Sequence, residues 1–87
     1  MSTDEIRAAV KQSVASIANL DAAEIGDDAS YKEDLQLDSL TILEIAVDAE
    51  YKFRVNLSED DLARIATVGD TVRIVEQYLS APVTAAA

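Results

Sequence analysis

The stretch "EDLQLDSLTILEIAVDAEY", Glu33 to Tyr51, decides the architecture of this chain. Asp38 stands where a helix N-cap belongs, its carboxylate able to accept from the first free backbone amides. From Ser39 to about Phe53 the apolar residues return at helical spacing, and Ile42, Ile45, Ala46, Ala49 and Phe53 trace an inward stripe. Leu40, Glu44, Val47, Asp48 and Tyr51 trace a second stripe, rotated toward solvent. Glu44 and Asp48 lie four apart, a like-charge pair that costs roughly a few tenths of a kcal/mol in an isolated helix. A helix optimised only for stability would alternate the signs. Exposed acids mixed with exposed apolar groups compose a docking surface; the plainer alternative is a solvated face.

Upstream, "TDEIRAAVKQSVA" offers Thr3 as a cap, with Asp4 and Glu5 in the opening turn, where they complement the helix dipole. Ile6, Val10, Val14 and Ile17 form one apolar face, Arg7 and Lys11 fall outside it, and the helix is expected to end between Ala18 and Leu20. Asp21 to Leu37, "DAAEIGDDASYKEDLQL", is a long polar connection in which Ile25, Tyr31, Leu35 and Leu37 are spaced as anchors. A loop of this length in so small a chain is often functional. Downstream, Ser58 and Asp61 make a near capping box ahead of Leu62 and Ile65. Thr67 is placed to cap a last helix with the stripe Val68, Val72, Val75 and Leu79, although Gly69 weakens its first turn. The pattern predicts an all-α four-helix bundle: three longer helices, one short third helix and a long loop between the first and second. Residues 1–80 are read as one domain, and the tail 81–87, "APVTAAA", has few anchors and is expected to be disordered.

Composition narrows the function. At 87 residues the chain is near the lower end of what folds without staples, and with no cysteine it has neither disulfides nor thiolate metal sites. Hydrophobic residues make up 49% but aromatics only 5%, so the core must be built from Val, Ile, Leu and Ala. Two glycines and one proline leave little turn chemistry for hairpins. Seventeen acids against seven bases give a net charge of −10. Such a field repels nucleic acid and anionic membranes and steers basic patches of partner proteins toward the chain. No apolar run approaches the roughly 20 residues of a membrane span, and the polar N-terminus lacks the basic region of a secretory signal. A cytoplasmic monomer with transient contacts is the expectation.

The chemistry begins with what is missing. Without histidine there is no Ser-His-Asp relay and no histidine metal site. Gly26 and Gly69 stand alone, so no glycine-rich phosphate loop exists. Asp34, Gln36 and Asp38 alternate like calcium ligands, but the turn glycine is absent and apolar residues fill the later positions. The domain is therefore not expected to be an enzyme. What remains is Ser39, at the junction of loop and helix. It serves either as a capping residue only or as the target of an external enzyme, because the chain holds no base to activate it. A phosphate esterified there would meet the partial positive charge of a helix N-terminus.

The whole string "EDLQLDSLTILEIAVDAEYKFRVNLSEDDLARIATVGD" resembles the acyl carrier proteins of type II fatty acid and polyketide synthases. The likeness runs from "TDEIRAAVKQSVA" to "VRIVEQYL" and includes the Asp38-Ser39-Leu40 attachment motif, the acidic "LEIAVDAE" helix and the "TVGDTV" opening of the last helix. Asp-Ser-Leu alone is weak, being three common residues; at this position within four helices of this spacing it is strong. The wording is most similar to carriers of actinobacterial-type fatty acid systems.

The resemblance implies a four-helix bundle of the acyl-carrier type over residues 1–80. It implies that Ser39, beside Asp38, receives a covalent 4′-phosphopantetheine from coenzyme A, transferred by a phosphopantetheinyl transferase. The arm's thiol would carry acyl intermediates as thioesters in fatty acid, polyketide or related lipid and natural product biosynthesis. By position, Leu40, Glu44, Val47, Asp48 and Glu50 would meet acyl-loading, ketosynthase-type or acyltransferase partners. Ile42, Ile45, Ala46, Ala49, Leu62, Ile65 and Val72 would line a pocket for the acyl chain, although Ala46 and Ala49 equally suit close helix packing. The alternative is a non-carrier acidic interaction module, or a degenerate carrier kept for binding, in which Ser39 stays unmodified. Acyl group, chain length and pathway are not written in the sequence.

Overall fold

A computed structural model of the protein describes residues 2–80. Four α-helices follow one another: α1 (Thr3–Ala18), α2 (Ser39–Phe53), α3 (Glu59–Arg64) and α4 (Val68–Ser80), with a single 3-10 turn at Ala22–Glu24. The described residues contain no strand beyond an isolated bridge between Ser30 and Thr67. α1 packs along both α2 and α4, and one core fills the space between them. The expected tail 81–87 lies outside the described residues.

Local chemistry fixes each helix end. Asp38 caps α2, accepting from the Thr41 amide at 2.8 Å, and the helix closes at Arg54, whose backbone turns left-handed at φ 55°. The cap of α1 is Ser2, one residue ahead of the expected Thr3. Ser2 Oγ accepts from the Glu5 amide at 3.2 Å, while the Ser2 amide donates to Glu5 Oε1 at 3.0 Å. Thr3 cannot form such a reciprocal box, because the residue three ahead of it is Ile6. Its hydroxyl donates instead to Glu76 of α4. Ser58 and Asp61 close the expected box on α3. Thr67 and Asp70 do the same for α4: Thr67 Oγ1 accepts from the Asp70 amide at 3.0 Å, and Asp70 Oδ2 accepts from the amides of Ala66 and Thr67, each at 3.1 Å.

The core follows the periodicity. Ile6, Val10 and Val14 of α1 meet Ile45, Ala46, Ala49 and Phe53 of α2 and Val68, Val72 and Val75 of α4, all buried. Each fully buried Ile or Val contributes about 1.5–3 kcal/mol of transfer free energy. Ile17 is half-buried. Leu79 departs from the expected stripe and is 43% exposed. The Thr3–Glu76 bond places the start of α1 beside Glu76, so Leu79, about one turn further on, overhangs the partner helix. Ile74 is buried in its stead.

The long loop is tied down at its middle. Ile25 and Tyr31 are buried, and Leu35 and Leu37 pack half-buried against the core. The Tyr31 amide donates to the Ala66 carbonyl and the Val68 amide to the Ala29 carbonyl, both at 3.0 Å, so the loop pairs with the segment entering α4. The Tyr31 hydroxyl shares a 2.7 Å hydrogen bond with Thr71 Oγ1, and the Leu37 amide donates to the Tyr31 carbonyl at 2.8 Å. Tyr31 thus fixes the run of chain that delivers Asp38 and Ser39.

Candidate functional site

Ser39 is the first residue of α2, exposed, at the point where the anchored loop becomes helix. Capping falls to Asp38, so the Ser39 hydroxyl is not needed for that task. The Thr41 amide beside Asp38 holds its carboxyl below the usual carboxylate range, so Ser39 has an anionic neighbour at neutral pH.

From Ser39 a cleft of about 390 Å³ runs between α2 and α3, lined by Lys32, Ser39, Ile42, Leu43, Ala46, Leu62, Ala63 and Ile65. Its size falls in the range of roughly 300–1,000 Å³ common to small-molecule sites, and its walls are mainly aliphatic. Of the residues expected around an acyl chain, Ile42, Ala46, Leu62 and Ile65 come together here. Ile45 and Ala49 are buried in the core, and Val72 lines a different, polar recess with Arg7, Asp27 and Glu76. Leu43, Ala63 and Lys32 join the cleft without having been singled out. Their signals were present: Leu43 stands one turn beyond Ser39, Ala63 follows Leu62, and Lys32 is the only base between Lys11 and Lys52.

The second stripe of α2 forms a separate surface. Leu40, Val47 and Tyr51 are 65%, 52% and 85% exposed, and a shallow groove of about 470 Å³ is bounded by Ile17, Leu43, Glu44, Val47, Asp48 and Tyr51. Glu44 is exposed; Asp48 is half-buried and pairs with Lys52 at 3.4 Å. Glu50 is placed differently: half-buried, it accepts from the Leu57 amide at 2.8 Å and ties down the α2–α3 connection. Among the described residues no cluster of acids suits a metal ion, and no helix is long and apolar enough to cross a membrane.

Ser39 is thus exposed, free of the capping task and placed at the start of a helix above an aliphatic cleft in a small helical domain. Residues 8–75 match the family described as a phosphopantetheine attachment site. The chain is 37% identical over 79 residues to the acyl carrier protein of an Exiguobacterium strain, covering 91% of this chain and 100% of that one. It is 38% identical over 74 residues to the acyl carrier protein of Rhodococcus erythropolis, an actinobacterium, covering 85% and 81%. A solved acyl carrier protein from Enterococcus faecalis superposes with a TM-score of 0.73 at 26% identity, over 90% of this chain and 99% of that one. The protein belongs to the acyl carrier protein family, a carrier that works through phosphopantetheine in fatty acid or polyketide synthesis.

Proposed function

We propose that Ser39 is the attachment point and that this chain acts as a carrier without catalysis of its own. The observation that carries this reading is the placement of Ser39: exposed, first in α2, relieved of capping by Asp38 and open to the cleft. In loading, Ser39 Oγ forms a bond to the phosphorus of coenzyme A that bears the pantetheine. The pyrophosphate bond breaks, adenosine 3′,5′-bisphosphate leaves, and the hydroxyl proton passes to a base on the transferase. The arm supplies a terminal thiol that carries acyl groups as thioesters, the sulfur this cysteine-free chain lacks. Tethering raises the local concentration of each intermediate for successive enzymes.

The chain's own residues do the rest. Ile42, Ala46, Leu62 and Ile65 offer the apolar wall against which an acyl chain is sheltered. Leu40, Glu44, Val47 and Asp48 present the acidic-apolar face to basic partners, including the phosphopantetheinyl transferase and ketosynthase-type or acyltransferase enzymes, while Glu50 serves from behind by holding the α2–α3 connection. Rim charges of this kind set association rate and salt sensitivity more than affinity. Residues 1–80 make up the carrier domain, acting in the cytoplasm. Incubation with a phosphopantetheinyl transferase and coenzyme A is the test. The intact mass is expected to rise by one phosphopantetheinyl group, and Ser39→Ala is expected to abolish the gain. Wild-type mass that stays unchanged would leave the non-carrier adaptor as the reading to adopt.

A further inference from the structure

Loading places a phosphodiester, one more negative charge, on a chain that already carries a net −10. The N-terminus of α2 does not fully absorb it. The Asp38 carboxylate already accepts from the Thr41 amide there and brings its own negative charge beside Ser39. Glu33 and Asp34 stand in the same loop; Asp34 Oδ2 accepts from the Ser30 amide at 2.8 Å. A nearby cation is therefore what the site needs, and the structure provides one. Lys32 lines the cleft with Ser39. Lys11, Lys52, Arg7 and Arg73 form ion pairs, whereas Lys32, Arg54 and Arg64 form none among the described residues, and of these three only Lys32 lines the cleft with Ser39. Its backbone position is fixed by Tyr31, whose buried ring and main-chain bonds anchor the preceding residue. The long, flexible stem of a lysine lets the ammonium reach across the mouth of the cleft while the aliphatic walls stay free.

We infer that Lys32 is a positioning residue for the prosthetic arm. Its ammonium pairs with the phosphodiester on Ser39 and holds the root of the arm over the cleft between α2 and α3. This rests on attachment at Ser39. The pairing lowers the like-charge cost of loading and biases the arm toward the apolar walls rather than into solvent.

The test uses the full chain in apo and holo forms, with loading verified by intact mass. The chain has only three lysines, Lys11, Lys32 and Lys52, so their side-chain ¹³Cε resonances can be followed separately. An ammonium paired with a new anionic neighbour changes its electrostatic surroundings, so the Lys32 ¹³Cε resonance is expected to move between the apo and holo forms, with those of Lys11 and Lys52 unmoved. The ³¹P resonance of the phosphodiester is expected to shift in holo Lys32→Gln and to return toward the wild-type position in holo Lys32→Arg. A loaded chain whose Lys32 ¹³Cε resonance matches the apo form, with ³¹P positions alike in wild type and Lys32→Gln, overturns the role of Lys32 alone. A chain that does not load overturns attachment at Ser39, and Lys32's role with it.

Discussion

Tyr31 is the residue on which the geometry of the loop turns, and replacing it by Phe has consequences that change sign with pH. The ring is fully buried and its hydroxyl shares a 2.7 Å hydrogen bond with Thr71 Oγ1. A buried neutral hydrogen bond contributes a net of about 0.5–1.5 kcal/mol. Thr71 Oγ1 still has the Thr67 carbonyl, at 3.3 Å, as an acceptor, so Tyr31→Phe leaves no stranded donor and is expected to cost about 1 kcal/mol at pH 7. Burial pushes the Tyr31 phenol from 10.0 up to about 12, against a smaller opposing effect of the Thr71 bond. A folded pKa above the unfolded one gives stability that is complete below pH 10 and lost as pH rises through 12. Two units of difference amount to about 2.7 kcal/mol. Setting the lost bond against this loss, wild type and variant are expected to be equally stable near about pH 10.7, and the Phe variant more stable above it. Urea unfolding of both proteins by far-ultraviolet circular dichroism, at pH 7 and at about pH 11.5, measures the difference directly. Equal stability at pH 7, or an unchanged margin at the higher pH, would refute the reasoning.

Three further outcomes are expected. Glu44→Lys, on the exposed face of α2, should leave the circular dichroism spectrum intact yet slow loading about tenfold at low salt, with the difference shrinking as salt rises; equal loading rates at low salt would remove Glu44 from the docking face. The Thr41 amide lowers the Asp38 pKa, so its contribution to stability is complete above the ordinary carboxylate range and is lost as pH falls through the depressed value. Acid titrations should therefore destabilise wild type more than Asp38→Asn, which keeps a capping oxygen but does not titrate; parallel curves would contradict this. Arg54 caps α2 in a left-handed conformation at φ 55°, so Arg54→Gly should stabilise the fold by about 0.5–1 kcal/mol in urea unfolding, and a loss of stability would contradict that reading.

Helix positions were legible because each has a local signature. The Asp38 cap and the apolar stripe returned α2 as Ser39 to Phe53, and the Ser58–Asp61 pair and Thr67 marked the starts of α3 and α4. The start of α1 was misread because "STDE" offers two adjacent hydroxyls, and only the three-residue spacing from Ser2 to Glu5 separates them. Leu79 was misplaced for a different reason: periodicity tells which face a residue is on, but not whether the neighbouring helix reaches that far. The pairing of the loop with the entry to α4 had no sequence mark, since it consists of backbone bonds from Tyr31 and Val68. Around the cleft, Ile42, Ala46, Leu62 and Ile65 followed from the resemblance, whereas Leu43 and Ala63 were not foreseen and Lys32 joins them through the loop's course, which Tyr31 sets from the core.

Tryptic peptide mapping after loading tests the central claim most directly, because cleavage at Lys32 and Lys52 releases residues 33–52 as one peptide in which Thr41 and Tyr51 are the only hydroxyl side chains besides Ser39. The account predicts that this peptide alone gains the phosphopantetheinyl group and that fragment ions place it on Ser39. An unmodified peptide, or a group placed on Thr41 or Tyr51, would contradict it.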